Sequence, residues 1–266
     1  LYPEFNEGFA FEATEWKTHN FNTVCLKEIF RQDNSDFIVA LNNARKGIEI
    51  EKAIEYVENN SSKTPMDGGM EIHSRNQVVE EINRNKLMEL KTKEYVYKAD
   101  IKGEISEDVN VEREIHLKPG CKVMMTMNDD KLGYQNGSFA TVVTCGDGYV
   151  DVMTDKEKNI IRVHRKEFSS LSDPVLLPNR QISQNMIGSI YQIPMKLAYA
   201  ITIHKSQGQT YSNVNLDPKG WENGQIYVAL SRIKDINGLY LYEKIDRDSL
   251  KVSNNVINFY KSFEQL

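Results

Sequence analysis

The period of the apolar pattern changes twice along this chain, and that pair of changes limits the folds open to it. Up to about Tyr97, and again from about Tyr191, short apolar runs alternate with stretches whose apolar residues recur three and four apart. That texture predicts an α/β fold with a mainly parallel sheet. Between them, from Tyr97 to Asp173, short β segments separated by turn signals predict a small barrel. Because the α/β texture resumes afterwards, the barrel reads as an insertion. The expected division is 1–97 and 190–266 for the α/β fold, with 98–189 inserted.

Individual elements follow from local chemistry. Thr23–Leu26 is a short apolar run. Phe37, Ile38, Leu41 and Ala44 share a helical face, and Gly47 supplies a stop. A second helix is expected over Glu49–Glu58, with Ile50, Ile54 and Val57 on one side. Met70–His73 reads as a strand. Ser74 with Gln77 three residues later matches a capping box and opens a helix to about Leu90. Cys121–Met127 and Phe139–Cys145 flank Asn136-Gly137, a hairpin signal. Tyr149–Met153 and Ile160–Val163 follow as strands. In the last third, strands are expected at Leu197–Ala200, Val214–Leu216 and Leu239–Tyr242, with a helix over Gly224–Ile233.

The chain has 266 residues, enough for one large domain or two ordinary ones. No run of about 18 apolar residues exists, so no membrane span is expected. The start, Leu1-Tyr2-Pro3-Glu4-Phe5, has neither a signal pattern nor an initiator Met, which points to a beginning inside a longer gene product. Cys25, Cys121 and Cys145 are odd in number and widely separated. They suit neither a disulfide framework nor a metal site, so a reducing, cytoplasmic setting is expected. The five histidines show no ligand spacing, and no metal site is expected in the chain. A net charge of −5 argues against coating nucleic acid through bulk charge, yet leaves room for a local basic groove.

The chemistry concentrates in two stretches, Thr202–Thr210 and Gln225–Arg232. Thr202, His204, Lys205 and Ser206 place four donors at a strand end, a set that suits backbone phosphate. Gly208 allows close approach of a backbone to a ligand. Arg232, taken alone, is a solvated charge favoured by the end of a helix. Its planar fork also suits the charge that develops on a γ-phosphate during hydrolysis. Nowhere does the chain carry a Gly-x-x-x-x-Gly-Lys-[Ser/Thr] loop, so a nucleotide site is only half present.

Ala-Ile-Thr-Ile-His-Lys-Ser-Gln-Gly-Gln-Thr followed by Gln-Ile-Tyr-Val-Ala-Leu-Ser-Arg resembles motifs V and VI of superfamily-1 DNA helicases. The branch it resembles contains RecD and the petite-integration-frequency helicases, which move 5′ to 3′ on single-stranded DNA. Leu26–Gln32 with Leu41–Gly47 looks like motif IV and its helix. Pro119–Met125 with Asn136-Gly137-Ser138 looks like the family's inserted SH3-like barrel. The resemblance runs from about Gly8 to Glu243 in the family's order. It implies the second RecA-like lobe of such an enzyme, a P-loop NTPase lobe without the phosphate loop, carrying the SH3-like insertion.

By that resemblance, ATP binds between this lobe and an N-terminal RecA-like lobe, which supplies the Mg²⁺ ligands. Arg31 and Arg232 are carried over as the arginines reaching the γ-phosphate. Gln32, Gln207 and Gly208 are carried over as nucleotide-facing residues. Thr202, His204, Lys205 and Ser206 are carried over as contacts to single-stranded DNA, with Ser74 and Asn76 beside them. For Arg31, a salt bridge to Glu28 or Asp33 is the plain structural alternative. Tyr134 and Phe139 could stack bases or pack in the barrel core. Three functions are weighed on this basis: half of an ATP-dependent helicase, inactive alone; a free-standing, non-catalytic single-strand-binding module; and a plain α/β regulatory domain.

Overall fold

A computed structural model describes residues 8–19, 21, 29–106, 109, 111–179 and 181–263. They form two compact units, Leu1–Gly69 with Thr210–Leu266, and Met70–Gln209. The expected strand at Thr23–Leu26 falls outside the described residues, as does Cys25.

The first unit opens with α1 (Thr14–Thr18) and α2 (Ser35–Lys46). Asn34 starts α2 because its side-chain oxygen accepts the Phe37 N–H at 2.9 Å. Gly47 ends it in the left-handed region, at φ 69°, where a side chain would be strained. Phe37, Ala40, Leu41 and Ala44 form its buried face. Helix α3 (Ile50–Asn60) packs on α2 and buries Ala53 and Val57, with Ile50 and Ile54 half-buried beside them.

The chain then enters the second unit through β1 (Met70–His73) and α4 (Asn76–Glu89). The capping box expected at Ser74 does not form. Arg75 occupies the N-cap position without a side-chain cap bond, so Ser74 lies one residue outside the helix start. Next come β2 (Tyr95–Lys98), β3 (Asp100–Gly103), β4 (Glu114–Leu117), β5 (Lys122–Met125) and β6 (Phe139–Gly146). They are followed by β7 (Tyr149–Thr154), β8 (Ile160–His164), β9 (Lys166–Leu171), β10 (Val175–Leu176), β11 (Ile182–Ser183), β12 (Met186–Gln192) and β13 (Met195–Leu197).

Among the described residues these strands make a five-stranded antiparallel sheet, β13-β5-β6-β7-β8, and a three-stranded sheet, β3-β12-β9. β2 pairs with β4, and β10 with β11. Their core includes Tyr97, Leu117, Val123, Met125, Val150, Val152, Val163 and Met195. Tyr134 is also buried in it, so the base-stacking option for that ring is overturned by packing. The β5–β6 hairpin exists, but residues 126–138 connect it instead of a two-residue turn. Asp129 and Tyr134 exchange backbone hydrogen bonds within that connection, at 2.9 and 3.2 Å.

The strand expected at Leu197–Ala200 is two strands. β13 runs antiparallel to β5, and β14 (Ala200–Thr202) runs parallel to β1. Asn83, buried on α4, fixes the change of partner. Its side-chain oxygen accepts the Tyr199 and Ala200 N–H groups at 2.8 and 2.9 Å, and its amide donates to the Ala200 carbonyl at 2.9 Å. All three backbone groups are thereby satisfied away from any ladder.

Returning to the first unit, the chain forms β15 (Val214–Leu216), α5 (Gln225–Leu230), β16 (Leu239–Leu241) and α6 (Asn254–Phe263). β15 and β16 pair in parallel, so each unit carries a parallel strand pair. Helix α5 begins after Gly224 at φ 76° and ends at Leu230, which leaves Arg232 in the turn beyond it.

Candidate functional site

In the first unit the structure brings together two arginines far apart in sequence. Arg31 donates from Nε to Thr210 Oγ1 at 2.9 Å and from Nη1 to the Ser231 carbonyl at 2.8 Å. Arg232 donates from Nη2 to Ser231 Oγ at 2.8 Å and from Nε to the Val228 carbonyl at 3.1 Å. Both guanidinium groups are thus anchored on Ser231, one through its backbone and one through its hydroxyl. Among the described residues neither has a carboxylate partner, and Asp33 does not pair with Arg31.

Burial, and then the neighbouring charge of Arg31, hold Arg232 below its ordinary pKa range. Two like charges kept together without a counter-ion are stabilised when an anion reaches both. Gln32 is only 4% exposed. Its amide donates to the Ser231 and Ile233 carbonyls at 3.2 and 2.9 Å, so it braces the arginine turn from inside.

In the second unit, β14 ends in a tight turn over His204–Ser206. Thr202 is buried, and its hydroxyl accepts the Lys205 N–H at 3.4 Å. Ser206 has no exposed surface and donates to the Ile203 carbonyl at 2.6 Å. These two hydroxyls hold the turn. His204, Gln207 and Gly208 are exposed, and Lys205 is half-buried. Gly208 sits at φ +81° with open space where a Cβ would stand. Ser74 is half-buried and Asn76 exposed at the start of α4.

Two grooves run along this unit. One, of 690 Å³, is lined among others by Thr126, Asn136, Lys196, Lys205, Gln207 and Gln209. The other, of 540 Å³, gathers Asn76, Thr202 and Lys205 of the expected strand contacts. Ser74, His204, Ser206 and Gly208 line neither groove. The second groove carries Glu80, Glu94, Glu112 and Glu114 against Arg84, Arg113, Lys196 and Lys205, and is close to neutral. The first carries Lys196 and Lys205 against Glu167 alone and is net positive.

Lys196 is the residue that sequence reasoning missed. It is a lone cation within the apolar run Ile193–Ala198, and that interruption was the available signal. On β13 its neighbour Met195 points into the core of the antiparallel strands, and alternation turns Lys196 to the opposite face. Burial first, and Lys205 beside it second, push its amine down to about 7, while Glu112 pulls the other way. Among the described residues no group of three or more His, Cys, Asp or Glu side chains is placed to hold a metal ion. No helix described is long and apolar enough to cross a membrane.

No protein-family model matches the chain. It is 31% identical over 259 residues to the ATP-dependent DNA helicase Pif1 of Bdellovibrio bacteriovorus, covering 94% of this chain and 56% of that protein. It is 30% identical over 290 residues to the corresponding Campylobacter jejuni helicase, covering 97% and 63%. The crystal structure of a Bacteroides Pif1 helicase with ADP-AlF3 and single-stranded DNA matches with a TM-score of 0.75 at 30% identity, over 97% of this chain and 60% of that one. The chain therefore spans between half and two thirds of the length of these relatives.

With this fold, and with Arg31 and Arg232 both anchored on Ser231, the chain is an α/β protein of the RecA-like class. Its homologues are superfamily-1 DNA helicases of the Pif1 family.

Proposed function

We propose that this chain is the second RecA-like lobe, with its SH3-like insertion, of an ATP-dependent DNA helicase that translocates 5′ to 3′ on single-stranded DNA. The observation that carries this reading is the arginine pair. Arg31 and Arg232 come from distant parts of the sequence, share Ser231 as an anchor, and among the described residues have no carboxylate to neutralise them. Such a pair fits an anionic triphosphate approaching from outside the unit.

ATP and Mg²⁺ are then held mainly by an N-terminal lobe beyond this chain, with Mg²⁺ neutralising charge on the transferred phosphoryl group. Arg31 and Arg232 act as arginine fingers when the lobes close. Their role is charge stabilisation in the transition state, which requires them to be preformed and dry. Ser231 and Gln32 preform them. Gln207 and Gly208, at the surface after the tight turn, contribute backbone shape near the nucleotide. Phe30, next to Arg31, is 87% exposed, an apolar surface of the kind a partner lobe covers.

Single-stranded DNA is the partner of the second unit, where Lys205, Thr202 and Asn76 meet in the grooves and His204 stands beside them. Thr202 and Ser206 serve there through the turn they hold. The relative solved with ADP-AlF3 and single-stranded DNA supports both ligands.

The test is reconstitution. This chain alone is expected to show no steady ATP hydrolysis, and joining it to its N-terminal lobe should give hydrolysis stimulated by single-stranded DNA. Steady turnover by the chain alone, or none in the joined protein, contradicts the reading.

A further inference from the structure

We infer that Lys196 and Lys205 form a single phosphate seat in the second unit, with Glu112 as its resident competitor, so that strand binding is coupled to uptake of a proton. The inference rests on the strand-binding reading above and adds its regulation. Three features carry it. The two lysines line both grooves, so any strand passing from one groove to the other crosses them. They lie against each other, yet neither closes an ion pair with a carboxylate within 4.0 Å among the described residues. Finally, the position is built. Lys196 is set by the β13 register opposite Met124, and Lys205 by the Thr202 hydroxyl on its N–H. The backbone of Glu112 is held by the buried Gln192, whose amide donates to the Glu112 carbonyl at 3.2 Å.

Without a strand the two ammonium groups disfavour each other, and burial adds to the penalty, so Lys196 gives up its proton near pH 7. Glu112 is open to solvent on one side and walled by the groove on the other. The walls raise its carboxyl, Lys196 and Lys205 lower it, Glu80 raises it again and His116 lowers it slightly. Glu112 thus offsets part of the repulsion between the lysines but does not neutralise them. A phosphodiester placed between the ammonium groups favours the charged form of both.

The sign follows. The amine has a lower pKa in the free protein than in the complex, so between those two values binding takes up a proton. Affinity is greatest below about pH 7 and falls as pH rises through and beyond it. The other charged groups facing the seat are Glu80 on α4, His116 on β4 and Glu167 on β9. Arg84, Arg113 and Glu94 stand farther along the second groove. Of these, His116 is held between Glu94 and Glu114 at 2.7 and 3.0 Å.

The experiment uses the intact enzyme and an oligothymidine of about 16 nucleotides. Calorimetry in buffers of different ionisation heat, near pH 7.5, reads proton uptake. Fluorescence anisotropy from about pH 6.5 to about 8.5 reads affinity. The wild type should take up a substantial fraction of one proton and bind several-fold more weakly at the alkaline end.

Lys196→Arg cannot lose its charge in this range. It should still bind, with the uptake largely gone and a flat pH profile. Lys196→Met should bind more weakly, with the slope of log affinity against log salt reduced by about 0.7. Glu112→Gln should bind several-fold more tightly. Binding whose proton uptake is unchanged in Lys196→Arg overturns this inference alone. No binding to oligothymidine at low salt overturns it together with the strand-binding reading.

Discussion

At the scale of single residues, the strongest structural commitments belong to side chains bonded to the backbone around them. Asn83 is the clearest. It satisfies three backbone groups where the chain leaves β13 and joins β14, and β14 carries the turn with Lys205. Asn83→Ala leaves two buried N–H groups without acceptors, at a cost of about 3 kcal/mol. The midpoint of urea unfolding should fall accordingly, whereas an unchanged midpoint would mean that water replaces the amide.

Ser206, Thr202 and Gln32 teach the same lesson. Their residue types suggest ligand contact, and the sequence cannot say which way a hydroxyl or amide points. All three are buried and bonded to the backbone of the turns that present Lys205 and the arginines, Thr202 at the edge of the second groove. Lys196 was invisible for the opposite reason, because a lone lysine in an apolar run has no motif to announce it.

Among the elements, those with strong local chemistry were legible. The α2 face with its Gly47 stop, the strands at β1, β7 and β15, and the helix before Arg232 follow from period and end signals alone. Elements that depend on distant partners were not. The Leu197–Ala200 run is uniformly apolar, and only the competing edges of β5 and β1 split it. Asn136-Gly137 signals a tight turn, but Gly137 instead donates to Met125 at the mouth of a longer connection. Ser74 matched a capping box whose helix begins one residue later.

Capping is decisive at α2, where Asn34 accepts from Phe37 N–H and from the Tyr56 hydroxyl at 3.2 Å. Asn34→Ala should lower stability by about 1 kcal/mol, and Asn34→Asp or Asn34→Ser should recover most of it. Thermal melts of the three variants check this; equal melting temperatures would show that the cap is dispensable.

For the whole molecule, the alternation of period located the α/β stretches and the block of antiparallel strands between them. The two compact units divide at Gly69/Met70 and Gln209/Thr210, so a strand, a helix and a returning strand lie in the same unit as those antiparallel strands. The motif stretch Thr202–Thr210 crosses that division. Its first residues present the lysine turn and its last, Thr210, is bonded to Arg31.

The central claim is that Arg232, prearranged on Ser231 and free of any carboxylate among the described residues, acts on a triphosphate gripped by another lobe. The direct measurement is ATP turnover by the intact enzyme carrying Arg232→Ala, made alongside its affinity for single-stranded DNA. The account predicts that kcat falls by about 10³ or more while strand affinity stays within a few-fold of wild type. Turnover equal to wild type, or a loss of strand binding as large as the loss of turnover, would contradict it.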